Sequence, residues 1–270
     1  MANETITGRN IAALAQFADV EIANGIKVKD AQFYIRQEPY WSSAFYQLQT
    51  VTAGSIASAP GILAGQSASS VQIFQTKQGQ QGQGSAWPLT WADTNNEMGT
   101  MFDATQAYIG TSMAVSLELV DTTGATVMTQ TGGNILHPTD VDQVISACSL
   151  LWSKIGGRKR RLGTIDLFPS GTGTYQSGFG GLTAQSIVNG AASATSPYFG
   201  IPENGGPSSQ TGVLAVPMIF SPMQAYQIDS SFDRSVVFGN TAWLTAGTGS
   251  AALYLKVRYC LYGYRANLQA

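Results

Sequence analysis

The strongest structural signal in the sequence is the two-residue period of residues 251–264. Strict alternation of this kind is typical of a β-strand whose two faces meet different surroundings. One face consists of Leu253, Leu255, Val257, Tyr259 and Leu261, and the other of Tyr254, Lys256, Arg258, Cys260 and Tyr262. A strand this long is predicted to lie in the middle of a sheet.

Other segments have the composition of strands. Alternation over 113–119 predicts a half-buried strand, and the turn at 121–124 predicts a hairpin with 125–130. Segments rich in Ile, Val, Phe, Tyr and Thr predict further strands near 26–36, 43–52, 71–73, 162–168, 213–220, 224–229 and 234–239. The Glu38-Pro39 pair is interpreted as a break. Glycine, serine and proline predict loops over 53–69, 77–86 and 169–211.

Two segments have helical spacing of apolar residues. Residues 9–24 predict a short helix ending at Gly25. Residues 139–155 predict an amphipathic helix that begins at Thr139 and is closed by Gly156. Its apolar face is wide enough to pack against a sheet, so we expect burial of Val144, Cys148, Leu151 and Trp152.

Many short strands and two helices that do not alternate with them favour an all-β fold over a parallel α/β fold. We predict an antiparallel β-sandwich of jelly-roll type. The predicted organisation is an N-terminal helical arm at 1–25, a first jelly roll at 26–135, and a second at 136–270 that includes the 139–155 helix. One jelly roll with large insertions stays open as an alternative.

Charged residues make up only 11% of the chain, against a usual share of about 25%. The hydrophobic share of 44% excludes a disordered chain, and the net charge of −2 excludes a generally basic nucleic-acid binder. A surface this poor in charge is either solvated by uncharged polar residues or buried against partners. Cys148 and Cys260 are predicted to be buried free thiols.

No catalytic motif stands out. The single histidine, His137, has no serine elbow to accompany it, and Ser67 lacks the closing glycine of such a turn. One histidine and two scattered cysteines cannot form a structural zinc site. The run from Asp93 to Glu97 faintly resembles a calcium loop, but a polar turn is favoured. We therefore expect a non-enzyme without metal or cofactor.

One cluster of cations is concentrated enough to suggest binding. Five of the fourteen basic residues lie within eight positions: Lys154, Arg158, Lys159, Arg160 and Arg161. A helix terminus and a solvated turn account for Lys154 but not for four consecutive cations. Non-specific contact with phosphates of nucleic acid or lipid head groups is the functional interpretation.

Aromatic residues gather in pairs, for which core or interface packing is the ordinary explanation. Trp87 and Trp91 lie beside the Gln/Gly-rich loop. An exposed ring at either position would offer a stacking surface for a sugar, as in a lectin.

These features combine a short N-terminal helical arm, many short strands, a midway amphipathic helix, long Gly/Ser/Thr/Pro loops, low charge and a single basic cluster. In this combination the chain resembles the jelly-roll major capsid proteins of tailless icosahedral bacteriophages. The resemblance covers the whole chain loosely. It implies trimeric capsomers, made in the host cytoplasm, that form a lattice in the virion and contact minor capsid or vertex proteins. It also implies that the 154–161 cluster faces the genome or an internal membrane.

One alternative fold and two alternative functions compete with this expectation. A tailed-phage capsid fold would need a long spine helix and a charged extended loop, and neither is visible. A carbohydrate-binding or adhesive β-sandwich, such as a phage spike or secreted lectin, predicts a groove lined by tryptophan. A hydrolase on a jelly-roll scaffold predicts a convergent pair of acids, and no spacing in the sequence selects one.

Overall fold

The described part of the chain is mostly β-strand, in antiparallel sheets with very few helices, as the sequence predicts. The computed structural model describes residues 21–23, 26–27, 33–53, 56–82, 84–97, 99–125, 138–154, 158–165, 168, 187–188, 191–192, 212–238 and 253–268. The strands are β1 (Glu21–Ala23), β2 (Ile26–Lys27), β3 (Phe33–Gln47), β4 (Gln49–Ala53), β5 (Ile56–Ile62), β6 (Ser70–Ile73), β7 (Gln106–Val120), β8 (Cys148–Lys154), β9 (Arg160–Thr164), β10 (Ile187–Val188), β11 (Ala191–Ala192), β12 (Gly212–Phe220), β13 (Tyr226–Phe232), β14 (Val236–Val237) and β15 (Tyr254–Leu268). Helix α1 is Pro138–Ala147, and Ser67–Ser69 form a 3-10 turn.

Two four-stranded sheets dominate the described part of the chain. The first sheet has the order β12-β7-β15-β3, and the second has the order β6-β13-β8-β9. A three-stranded sheet, β14-β5-β4, and the hairpins β1-β2 and β10-β11 accompany them. Both large sheets take strands from either side of residue 135. The long strand β15 lies between β7 and β3, which confirms its predicted central position.

The main hydrophobic core joins the inner faces of the two large sheets. From the first sheet it takes Leu255, Val257 and Tyr259, and from the second it takes Leu150 and Ile228. Alternation explains the division, because side chains two residues apart on β15 share a face. The period of two at 113–119 likewise places Met113, Val115, Leu117 and Leu119 in this core.

Hydroxyl groups cross the core and connect the two sheets. The Tyr40 and Tyr226 hydroxyls lie 2.9 Å apart. Tyr46 donates to the Ser230 carbonyl oxygen at 2.8 Å, and the Tyr259 hydroxyl lies 2.5 Å from Ser230 Oγ. Burial raises the pKa of Tyr46 and of Tyr259 well above the usual tyrosine value. Both side chains therefore stay protonated and remain able to donate hydrogen bonds.

A second, smaller core lies on the outer face of the first sheet, beneath the covering loop (residues 84–97). It contains Phe45, Trp87, Leu89, Val120 and Tyr254. A buried ion pair joins this loop to the sheet, because Lys256 Nζ lies 2.8 Å from Asp93 Oδ1. The loop thus covers one part of the outer face and leaves the rest of that face partly exposed.

The ladder between β15 and β7 contains an irregularity. Tyr262 is opposite Ser112 and Gly263 is opposite Gly110, so Thr111 has no partner in the ladder. At this point the two backbones approach closely: a β-carbon on Gly263 would lie 1.8 Å from the Ile109 carbonyl oxygen. A residue with a side chain does not fit there.

The predicted helix over 139–155 is wrong in its second half. Helix α1 ends at Ala147, and Cys148–Lys154 form β8 between β13 and β9. Apolar residues at 148, 150 and 152 satisfy a strand period as well as a helix period, and pairing with two strands decides the outcome. Val144 and Cys148 are buried as expected, whereas Leu151 and Trp152 are only half-buried.

Two segments that the sequence predicts as a break and a loop form strands instead. Strand β3 continues through Glu38-Pro39, because β3 is an edge strand and the missing N–H of proline is tolerated at an edge. The predicted 53–69 loop contains all of β5, which pairs with β4 and β14 despite weak strand propensity. The 9–24 helix is contradicted at β1, and the rest of it lies outside the described residues, as does most of 169–211.

The predicted turn is confirmed, and the prediction of two buried free thiols is confirmed in part. The turn at 121–124 forms, with the Gly124 N–H donating to the Asp121 carbonyl at 3.1 Å. Beyond residue 125, the second arm of this hairpin lies outside the described residues. Cys148 and Cys260 are both free thiols, the first buried and the second half-buried. Burial raises the pKa of both thiols, so neither is an activated nucleophile.

Candidate functional site

The predicted cation cluster lies at the edge of the second sheet. We call residues 158–161 the basic edge. Among the described strands, β9 pairs only with β8, with Arg160 opposite Trp152 and Arg161 opposite Leu151. Lys154, the fifth predicted residue, ends β8 opposite Tyr226. An edge strand leaves one side of its backbone and the side chains along it open to solvent.

Carboxylates form ion pairs with two of the four cations in the basic edge. Lys159 Nζ lies 2.8 Å from Asp229 Oδ2, and Arg161 is paired with Asp233. Arg158 and Arg160 are exposed and form no ion pair with a described residue. Arg160 and Arg161 are consecutive on β9, so the unpaired Arg160 and the paired Arg161 point to opposite sides of the strand.

A further arginine lies beside the basic edge. Arg234 follows Asp233 directly and donates a hydrogen bond to Ser146 Oγ on α1. The sequence pattern did not indicate Arg234, because it is isolated along the chain and joins the cluster only through the second sheet. Within the described residues this region holds more cations than carboxylates, which suits it to a polyanion.

The two tryptophans predicted as stacking surfaces have opposite surroundings. Trp87 is 7% exposed, and its ring packs edge-on against Phe45 at 4.9 Å and against Tyr254 at 5.3 Å between centroids. The prediction that Trp87 offers a face for a sugar is therefore wrong, because the covering loop places it in the second core. Trp91 lies on the outside of the same loop and is 54% exposed.

Trp91 belongs to a small surface group with Trp41 and Arg258, which we call the aromatic site. The indole rings of Trp91 and Trp41 lie 5.0 Å apart at 88°, and Trp41 Nε1 donates to the Trp91 carbonyl at 3.0 Å. The Arg258 guanidinium lies 5.3 Å from the Trp41 ring centre. Arg258 and Trp41 are far apart in sequence, so only the pairing of β15 with β3 could have revealed the group.

The predicted polar turn at 93–97 is used within the protein. Asp93 Oδ1 contacts Lys256, and Asn95 Oδ1 accepts from the Trp41 backbone N–H at 2.8 Å. Asn96 Oδ1 accepts from the Gly99 N–H at 3.0 Å. The described residues contain no group of three His, Cys, Asp or Glu side chains that could hold a metal ion. His137 lies outside the described residues, and Ser67 is exposed at the start of the 3-10 turn.

The chain matches no family model, no curated protein and no solved structure. Among the described residues, no helix has the length and apolar character that crossing a membrane would require.

Proposed function

We propose that the chain is the major capsid protein of a tailless icosahedral virus, such as a bacteriophage, and that it assembles through trimeric capsomers into a shell. The observation that supports this proposal most is the pairing of eight strands. In chain order they are β3, β6, β7, β8, β9, β12, β13 and β15. The first pairs with the last, the second with the seventh, the third with the sixth and the fourth with the fifth.

These pairings are the ones expected of a long antiparallel hairpin rolled into two facing sheets, and they support for this chain the jelly-roll arrangement of viral capsid and lectin domains and cupins. Pairs one and three lie in the first sheet, and pairs two and four lie in the second. We infer a single jelly roll over 33–268 rather than two in succession, because each large sheet uses strands from both halves of the chain.

The composition favours a shell subunit among the functions that this architecture serves. Only 11% of the residues are charged, and charge is depleted at the cores of protein interfaces. A subunit that buries several faces against copies of itself needs few charges on those faces. The basic edge then offers the phosphate contact, with the genome or with an internal membrane.

The first test is the assembly state of the purified chain, measured by mass photometry with negative-stain imaging at low and moderate salt. We expect trimers, together with plates or shells at higher protein concentration. A chain that stays monomeric at high concentration under all these conditions would overturn the capsid proposal.

The ion pairs predict which cations of the basic edge contact phosphate. The double variant Arg158→Ser/Arg160→Ser should weaken binding to a labelled 20-nucleotide DNA strand. The slope of log affinity against log salt should fall by roughly 1.4, because two contacts are lost. Fluorescence anisotropy at salt concentrations from about 25 mM to about 200 mM measures this slope.

The matched control is Lys159→Ser/Arg161→Ser, which removes the other two of the four positive charges in the basic edge. Its slope should change less, because Asp229 and Asp233 already neutralise these two cations. Equal slopes for the two double variants would refute the assignment, and so would unchanged binding after replacement of all four residues by serine.

A further inference from the structure

The aromatic site presents one tryptophan face in a rigid setting. More than half of the Trp91 surface is accessible, although large aromatic side chains usually bury most of their area. The Trp41 ring contacts Trp91 edge-on, and the Trp41 indole N–H holds the backbone at Trp91. The exposed ring is thus fixed in orientation by its neighbour.

The covering loop is itself held at several points around Trp91. Asp93 Oδ2 accepts from the Thr90 backbone N–H and from Thr90 Oγ1, both at 2.9 Å. Asn95 connects the loop to β3, accepting from Trp41 N at 2.8 Å and donating to the Pro39 carbonyl at 2.9 Å. A surface fixed in this way loses little conformational entropy when it binds a ligand.

Arg258 supplies the charge of the site. It lies on β15, on the part of the outer face beyond the covering loop, and it is half-buried beside the Trp41 ring. Arg258 forms no hydrogen bond or ion pair with any described residue, so its N–H groups are available to a ligand. The fork of N–H donors on a guanidinium can bind a carboxylate through two parallel hydrogen bonds.

We propose that the aromatic site binds a carboxylate-bearing sugar residue of an acidic glycan. The apolar C–H face of a pyranose ring stacks on the Trp91 indole, whose face carries negative charge density. The sugar carboxylate binds the Arg258 guanidinium. The inference goes beyond the capsid proposal, because it adds a ligand on the outer face of the first sheet.

The size of the site favours a single sugar over a nucleic-acid strand. Single-stranded nucleic acid is held by successive aromatic platforms and a cationic groove that follows its backbone. The aromatic site offers one exposed ring and one free cation, and the other nearby cation, Lys256, is buried against Asp93 and Glu118. A neutral sugar would leave the guanidinium without an acceptor.

The test is a titration of the purified chain with trigalacturonate and with maltotriose, followed by tryptophan fluorescence. We expect trigalacturonate to bind at least tenfold more tightly than maltotriose. Trp91→Ala should weaken trigalacturonate binding at least tenfold, and Trp91→Tyr should retain most of it. Arg258→Gln should bring the two trisaccharides to within about twofold of each other, because the carboxylate preference is lost. Met223→Ala is the matched control, since Met223 is 63% exposed elsewhere on the surface and should bind as wild type.

Several outcomes would overturn the proposal. One is equal binding of the two trisaccharides by the wild-type chain, and another is wild-type affinity in Trp91→Ala. Tighter binding of a ten-nucleotide thymidine strand that depends on Trp91 would assign the site to nucleic acid instead. Circular dichroism and melting temperature show that each variant is folded, and the uncharged Arg258→Met replaces Arg258→Gln if the latter melts early. The assembly state is measured separately, so a failure here leaves the capsid proposal intact.

Discussion

Replacing Gly263 by alanine is expected to destabilise the fold by about 3 kcal/mol or more, at the upper end of what overpacking costs. The added β-carbon would lie 1.8 Å from the Ile109 carbonyl oxygen and 2.8 Å from its carbonyl carbon. Both are backbone atoms inside the first sheet, so no rotamer change relieves the overlap. Unfolding in guanidinium chloride, followed by circular dichroism, gives the change in free energy.

The control is Gly110→Ala, at the residue opposite Gly263 in the same ladder. Its new methyl group would lie 3.2 Å from Leu261 Cδ2, the end of a side chain that can move. We expect a loss below about 1 kcal/mol, within the range of tolerated core changes. A Gly263→Ala chain as stable as Gly110→Ala would show that β7 and β15 do not approach as closely as described.

Lys256→Met is expected to cost about 3–5 kcal/mol, because removal of one member of a buried ion pair leaves an uncompensated charge. The Lys256 and Asp93 side chains are only 6% and 4% exposed, and Nζ also lies 3.5 Å from Glu118 Oε2. Loss of the lysine leaves the buried Asp93 side chain of the covering loop without its cationic partner. The midpoint of chemical denaturation and the melting temperature report the loss.

Removing the second charge should restore part of the stability. The variant Lys256→Met/Asp93→Asn should be more stable than Lys256→Met alone, with a coupling of at least about 1 kcal/mol. Arg161→Met serves as the exposed comparison, since Arg161 and Asp233 are both largely accessible, and its cost should stay below about 1 kcal/mol. Equal costs for Lys256→Met and Arg161→Met would mean that the Lys256–Asp93 pair does not hold the covering loop.

Periodicity predicted those strands whose two faces meet different surroundings. On β15, Leu255 and Val257 face the main core while Arg258 and Tyr262 face partly outward, so the pattern is visible in the sequence. The pattern failed at residues 148–152, where helix and strand periods coincide and the neighbours β13 and β9 determine the structure. It failed again at Pro39, because only the sheet order shows that β3 is an edge strand.

The candidate sites were predictable only where their residues are contiguous. The basic edge was visible as a run of cations, but its division into free and paired residues depends on Asp229 and Asp233, which come from β13 and the turn after it. Trp87 and Trp91 have similar sequence surroundings, yet the covering loop buries one and exposes the other. The contribution of Arg258 depends on strand pairing between distant parts of the chain.

The place of β15 in the first sheet has a consequence for biosynthesis. β15 is the last of the eight strands to leave the ribosome, yet it must lie between β3 and β7. Until residues 254–268 emerge, those two strands have no partner between them and the main core cannot close. Folding dominated by such distant contacts is slow, and open apolar faces invite aggregation in the meantime. A nascent chain from which β15 has not yet emerged therefore has an incomplete first sheet and an open core.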